Sequence, residues 1–352
     1  MIIQIGPYPP PYGGISMYIK RMKKIMDSLN IENEVWNMFS DTEEYGVKKT
    51  KLKYLFWNIL SNRKSKILHY NISGIKGKEF IYLLNRTVGK NKKNIMTLHG
   101  DCKDLFIENK EKMVRVLNSF DVLICVKSGD KRVLSSYGVN TKIFEIPAYI
   151  KPIYQSNDEK DIPSNVREFI EEAEFLISAN GSISINNNED LYGLDMLIEL
   201  MGLIIHEYPT VKLIFCVLAK DKQTDEEKIY YKNLKKIIVE RKLNQQIYLF
   251  EVENTEFYPI LKQSNMFIRP TNTDGDAVSI REALDFNIPC IASDVVVRPK
   301  EVKLFKNRDI MDLHRCFKEV KENNEQNIKN KHISMEDNAE KILKIYSNLT
   351  KI

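Results

Sequence analysis

The 352 residues make a chain about twice as long as the commonest single-core domain; 43% are hydrophobic, 29% are charged, and 14 Gly and 12 Pro are spread along the length. This excludes a lone small module, a fibrous repeat and a disordered chain, and leads us to expect two globular domains. The formal net charge of +5 is uneven, because residues 1–150 hold 25 Lys and Arg against 14 Asp and Glu, a net of +11, and the remainder carries a net of −6.

In chain order, a short apolar strand (Ile2 to Ile5) runs into a Gly/Pro/Tyr loop ending at Gly13-Gly14, and Ile15 to Leu29 has helical spacing. The opening segment has neither the basic start nor the long apolar stretch of a signal peptide, and no run approaches the roughly 18 apolar residues of a membrane span. Five cysteines (Cys102, Cys125, Cys216, Cys290, Cys316) form no CxxC pair and no even framework. Together these features predict reduced thiols and a cytoplasmic protein.

Further strands are predicted at Lys66 to Tyr70, Asn94 to Leu98, Val122 to Val126 and Lys142 to Ile146, alternating with helical patterns at Lys51 to Leu60, Phe80 to Val88 and Lys110 to Phe120. Pro147 to Pro163, with three prolines and a charged cluster, reads as a linker. The alternation then restarts, with strands at Phe175 to Ala179, Val211 to Val217, Gln246 to Phe250, Met266 to Ile268 and Cys290 to Ala292. Helices are predicted at Leu194 to Glu207, Glu226 to Arg241, Phe257 to Gln263 and Ser279 to Phe286. The last amphipathic segment, Ser334 to Asn348, suits either domain. Strands alternating with helices imply βαβ units, so the expected fold is α/β: two doubly wound, Rossmann-like parallel-sheet domains facing a central cleft. The expected boundaries are 1–150, a linker at 151–165, a second domain at 166–332 and a C-terminal helix at 333–352.

Two loops carry chemistry. Gly13-Gly14 between a strand and a helix lets the backbone approach a ligand, and the free amides of a helix start favour an anion, although such a pair also serves as a plain turn. The stretch from Arg269 to Leu284 runs from a strand through a polar loop into a helix, with Asp274 on the loop and Glu282 about a turn inside. Both carboxylates can face one pocket; equally, Asp274 or Asp276 can cap the helix and Glu282 can lie on its surface. Gly275 and the amides of Ala277, Val278 and Ser279 offer donors at the same helix end.

The block Asp274-Gly-Asp-Ala-Val-Ser-Ile-Arg-Glu282, followed by Asn287-Ile-Pro-Cys-Ile-Ala-Ser-Asp294, resembles the E-x7-E signature of family-4 retaining glycosyltransferases of the GT-B fold, with Asp in the first acidic position. The N-terminal Gly-Pro-Tyr-Pro-Pro-Pro-Tyr-Gly-Gly-Ile-Ser is similar to that family's opening loop. The resemblance implies that Gly13 and Gly14 approach the donor diphosphate, Asp274 binds hydroxyls of the transferred sugar, and Glu282 holds the nucleotide ribose. Thr97-Leu-His99-Gly-Asp101 is similar to the segment whose His contacts the donor sugar; by composition alone His99 reads as structural, and its register with the family reverses that.

One departure stands out. Where members carry an Arg and a Lys that neutralise the diphosphate, this chain reads Gly181-Ser182 and Tyr192-Gly193. Arg269, Arg281, Arg298 and Lys220 lie at or near predicted strand ends or the motif helix, and of these Arg298 and Lys220 are the favoured replacements. The resemblance further implies a hexosyltransferase that retains configuration, needs no divalent metal or other cofactor, and takes a nucleotide diphosphate sugar and a glycan or lipid-linked acceptor in cell-surface polysaccharide synthesis. Asp274-Gly-Asp276 has the spacing of a metal-binding D-x-D motif but falls inside the E-x7-E-like block. No nucleic-acid partner is expected. Between Lys48 and Gly100 stand 13 basic residues and one acidic residue, Glu79, and Lys51 to Leu60 interleaves cations with aromatics. That stretch suits an anionic inner membrane face as well as a helix packed on the first domain. A nucleotide-sugar epimerase of the same architecture and a non-catalytic sugar-nucleotide-binding scaffold are the alternative readings.

Overall fold

A computed structural model describes every residue except 11, 40–43, 155–161, 253–255, 276, 327–335 and 351–352. The chain divides into two compact units: Met1–Ile153 with Glu336–Ile352, and Tyr154–Met335.

The first unit is built on seven parallel strands: β1 (Ile2–Gly6), β2 (Asn33–Asn37), β3 (Val47–Lys49), β4 (Ile67–Tyr70), β5 (Lys93–Leu98), β6 (Val122–Cys125) and β7 (Lys142–Glu145). Their order is β3-β2-β1-β4-β5-β6-β7. The central ladders run from Ile2↔Asn33 to Gly6↔Asn37 on one side of β1 and from Ile2↔Ile67 to Ile5↔Tyr70 on the other. Because both faces are covered, strands such as β1 and β6 are nearly continuous apolar runs, and alternate side chains feed two cores. Met96 and Leu98 join one core with Ile3, Ile5 and Leu68; Ile95 joins the other with Ile19, Met22 and Met26 of the helix Gly14–Ser28.

The C-terminal helix Asn338–Thr350 belongs to this unit. Ala339, Ile342, Ile345 and Tyr346 complete the second of these cores. Asn338 donates to the Tyr149 carbonyl at 2.9 Å, and the Tyr346 hydroxyl meets Nδ1 of His69 at 2.5 Å.

The second unit has six parallel strands, β8 (Phe175–Ser182), β11 (Val211–Leu218), β12 (Ile247–Glu251), β13 (Met266–Arg269), β14 (Cys290–Ser293) and β15 (Lys303–Phe305), in the order β12-β11-β8-β13-β14-β15. A two-residue antiparallel hairpin, β9 (Ile185–Asn186) with β10 (Glu189–Asp190), follows β8. The helices Leu194–Ile204 and Ile310–Gln326 cover one face, with Leu197, Met201, Leu313 and Phe317 in a common core. All five cysteines are free and buried.

Both sheets wind the same way, outward from their first strand in one direction and then in the other. The strand order therefore reverses between β1 and β4 in one unit and between β8 and β13 in the other, where ligands of open α/β sheets bind, beyond the carboxyl ends of the strands. Elements absent from the sequence reading are β2, β3, β15, the short hairpin and the helices Asp130–Ser136, Ser164–Glu171 and Ile310–Gln326. The helix Ser164–Glu171 begins inside the stretch read as linker, whose residues 155–161 lie outside those described.

Candidate functional site

In the first unit the reversal point is tight. A Cβ on Gly6, the last residue of β1, would lie 2.7 Å from the Asn71 carbonyl oxygen beyond β4, so only glycine allows this approach. The Asn71 side-chain oxygen accepts a hydrogen bond from Nε2 of His99, just past β5, at 2.9 Å. An amide oxygen can only accept, so the proton sits on Nε2 and Nδ1 keeps its lone pair. The Tyr18 ring stands edge-on to His99 at 5.2 Å. Burial, assisted by the charge of Lys78, pushes the His99 pKa down to about 3, so this imidazole is neutral at pH 7.

Gly13 occupies the cap position of the helix Gly14–Ser28 in extended backbone. The Ser16 hydroxyl donates to the Gly13 carbonyl at 3.0 Å and accepts from its amide at 2.9 Å. A Cβ on Gly14 would meet no atom within 4 Å, and the first turn holds no acidic residue. The helix start therefore presents open backbone and the positive end of the helix dipole.

In the second unit the reversal point holds a charge cluster. Arg269, ending β13, donates from Nε (2.9 Å) and Nη2 (3.1 Å) to the two carboxylate oxygens of Asp274. Arg298 donates from Nη1 to the same carboxylate at 2.8 Å, and Thr271 Oγ1 and the Gly275 amide complete its shell at 3.3 and 3.0 Å. The side chains are 11% (Arg269), 2% (Arg298) and 9% (Asp274) exposed. Burial alone would raise the Asp274 pKa, but Arg269 and Arg298 outweigh it and hold the carboxyl below its usual value. The sequence reading gives Asp274 to sugar hydroxyls; here its oxygens meet two guanidinium groups, because β13 and β14 lie side by side and bring the residues that follow them together.

The helix Val278–Asp285 follows. Ala277 stands at its cap position, where its methyl side chain makes no cap hydrogen bond, and Ser279 and Glu282 are buried, Glu282 to 3% exposure. Ile280, Ala283 and Leu284 anchor the helix in a local core, which fixes the face that carries Glu282. Asp276 lies outside the described residues.

The two favoured replacement cations part company. Arg298 is in the cluster, whereas Lys220 follows β11 and pairs with Glu251 on β12, which also accepts from Lys235 at 2.8 Å. Arg269, a candidate that the sequence offers but does not favour, is the other cation of the cluster. Its guanidinium lies 5.2 Å from the Tyr192 ring centroid and donates to the Asn180 carbonyl at 3.3 Å, against the very segment that lacks the family's cations. The signal available was Arg269 at a strand end five residues before Asp274, bracketing one polar loop.

Residues 178–342 match the family model described as Glycosyl transferases group 1. No curated protein matches the chain. Among solved structures, Anabaena HepE in complex with UDP-glucose is 13% identical, covers 100% of this chain and 98% of its own, and superposes with a TM-score of 0.65. Sucrose-phosphate synthase from Thermosynechococcus elongatus is 12% identical over 99% of both chains at 0.63, and the lipopolysaccharide outer core galactosyltransferase WaaB, in its apo form, is 14% identical over 99% of both at 0.59. The two parallel-sheet units have the GT-B fold that these structures share. Among the described residues no helix is long and apolar enough to cross a membrane.

Proposed function

From the match of residues 178–342 to the model described as Glycosyl transferases group 1, we propose that the protein is a retaining, metal-independent hexosyltransferase moving a sugar from a nucleoside diphosphate donor to a hydroxyl of a glycan or lipid-linked acceptor in cell-surface polysaccharide synthesis. The observation that carries this reading is the family match together with the buried Glu282 on the helix that starts beside the Arg269–Asp274–Arg298 cluster.

Glu282 holds the donor ribose, and the amides of Gly275 and Ala277 to Ser279 meet the diphosphate at the helix start. Two guanidinium groups meet one carboxylate next to that helix start, in place of the family's Arg/Lys pair. Asp274 acts by holding these arginines. In the reaction the acceptor oxygen bonds to the sugar's anomeric carbon as the bond to the diphosphate oxygen breaks, on one face, and the acceptor proton passes to a phosphate oxygen. The protein's share is positioning and charge stabilisation. A His99 with a pKa of about 3 supports this division of labour, since it is a weak base that orients a hydroxyl through Nδ1.

A thermal-shift screen against UDP, GDP, ADP, CMP and dTDP and their sugars tests the reading. One nucleotide should raise the melting temperature selectively by mass action, and Glu282→Ala should abolish that shift while the unliganded protein still unfolds cooperatively. Turnover should depend on an added acceptor. A product that keeps its nucleotide would instead mark an epimerase, and binding without turnover a scaffold.

The basic first unit seats the enzyme on an anionic inner leaflet. Tyr54 (49%), Trp57 (65%) and Leu60 (52%) are exposed on the segment Leu52–Ser61, whose Leu55 and Ile59 are buried, and Lys51, Lys53, Arg63 and Lys64 are exposed beside them. Each such cation contributes about 1 kcal/mol near an anionic surface. Trp57→Glu should reduce co-sedimentation with phosphatidylglycerol vesicles about tenfold and leave the negligible binding to phosphatidylcholine unchanged; equal sedimentation of both proteins would remove this surface from the reading.

A further inference from the structure

Beside His99 lies a pocket of about 180 Å³, inside the first unit, whose walls include Ile75, Lys78, Leu98, His99, Asp101 and Asp104. Lys78, on the helix Ile75–Arg86, is 3% exposed. Its ammonium donates to the Ile72 carbonyl at 2.9 Å and to the Ser73 carbonyl, which occupies two of its three N–H groups. Among the described residues no carboxylate pairs with it.

Of the two carboxylates on the pocket wall, one is paired and the other faces water. Asp101 takes the Lys127 ammonium at 2.5 Å and the Lys103 amide at 2.9 Å, and Asp104 is exposed to water. The inner wall therefore combines one unneutralised cation, a neutral imidazole with a free Nδ1 lone pair and aliphatic side chains. A cation buried against neutral acceptors alone is costly, and in such surroundings its field is poorly screened, so a small anion gains strongly there. Burial lowers the Lys78 pKa to about 8, which leaves it mostly charged at pH 7.

We propose that this pocket is the acceptor subsite for an anionic substituent, a phosphate or carboxylate group borne by the acceptor sugar, which pairs with the Lys78 ammonium while a neighbouring hydroxyl donates to Nδ1 of His99. The inference rests on the transferase reading and adds the charge of the acceptor. The pocket is smaller than the roughly 300 Å³ at which sites for whole drug-sized ligands begin, which fits one substituted sugar end better than a nucleotide.

The test is calorimetric titration of the full chain at pH 7 with glucose 6-phosphate, glucuronate and glucose. At least one anionic sugar should bind tenfold or more tighter than glucose, and which one does distinguishes a phosphate from a carboxylate acceptor. Lys78→Met keeps the length of the stem, removes the charge and should bring the anionic sugar down to the level of glucose. Because that change also releases two carbonyls, Gly100→Asp provides a second arm. A Cβ there meets no atom within 4 Å, and the added carboxylate should weaken the anionic sugar alone. Equal binding of all three sugars to the wild type, or a preference for the anion that survives both variants, overturns the inference. The nucleotide shift that depends on Glu282 is read from the other unit, so its presence alongside either result leaves the transferase reading standing, and its absence counts against that reading alone.

Discussion

Replacing Asp274 with alanine should lower the stability of the second unit by about 3–5 kcal/mol, the loss typical when one partner of a buried ion pair is removed and a charge is stranded. Here Arg269 and Arg298 both point at this carboxylate, and their side chains are 11% and 2% exposed. For a unit of this size that corresponds to a fall in Tm of roughly 10 °C, measurable by calorimetry. Asp274→Asn, which keeps an acceptor for one arginine, should lose less. The resemblance by itself predicts a different outcome, an enzyme that folds normally and turns over slowly. A Tm within 2 °C of wild type would therefore return Asp274 to sugar binding and remove it as the anchor of the arginines.

The second large effect belongs to Gly193. Its φ of +72° lies in the left-handed region, and a Cβ there would come within 2.3 Å of the Pro270 carbonyl oxygen, a backbone atom that cannot swing aside. Asp190 holds the same turn by accepting from the amides of Tyr192 and Gly193, each at 3.0 Å. Gly193→Ala thus combines strain of about 1–3 kcal/mol with displacement of the strand end that leads into Thr271 and Asp274. We expect a urea midpoint lowered by at least 1 M, with donor binding weakened in the folded fraction. An unchanged midpoint would mean that the turn before the helix Leu194–Ile204 is free to move.

Most strands were legible because strands covered on both faces have to be continuous apolar runs, as in Ile2 to Ile5 and Val122 to Cys125. Of those missed, β3 and β15 are three-residue edge strands, and β2 lies one place in from the edge. β2 reads Asn-Glu-Val-Trp-Asn and β3 Val-Lys-Lys, mixed with polar residues since fewer positions face a core. The helix Ile310–Gln326 buries, among its described side chains, a narrow stripe of Leu313, Cys316 and Phe317 beneath many charges.

The sequence by itself determined the two α/β halves, their charge asymmetry, the spacing of Asp274 and Glu282 and the place of both candidate loops after strands. These follow from local periodicity and from the residue types that turns and helix starts demand. Only the tertiary structure decided which groups meet. The C-terminal helix joined the first unit through Tyr346 and His69, 277 residues apart. Asn71 met His99 because β4 and β5 are neighbours, and Asp274 met Arg298 across 24 residues because β13 and β14 are. Hydrogen bonds and ion pairs act over about 3 Å, and the sheet order that brings distant residues within that range is set by packing of the whole unit rather than by any segment of it.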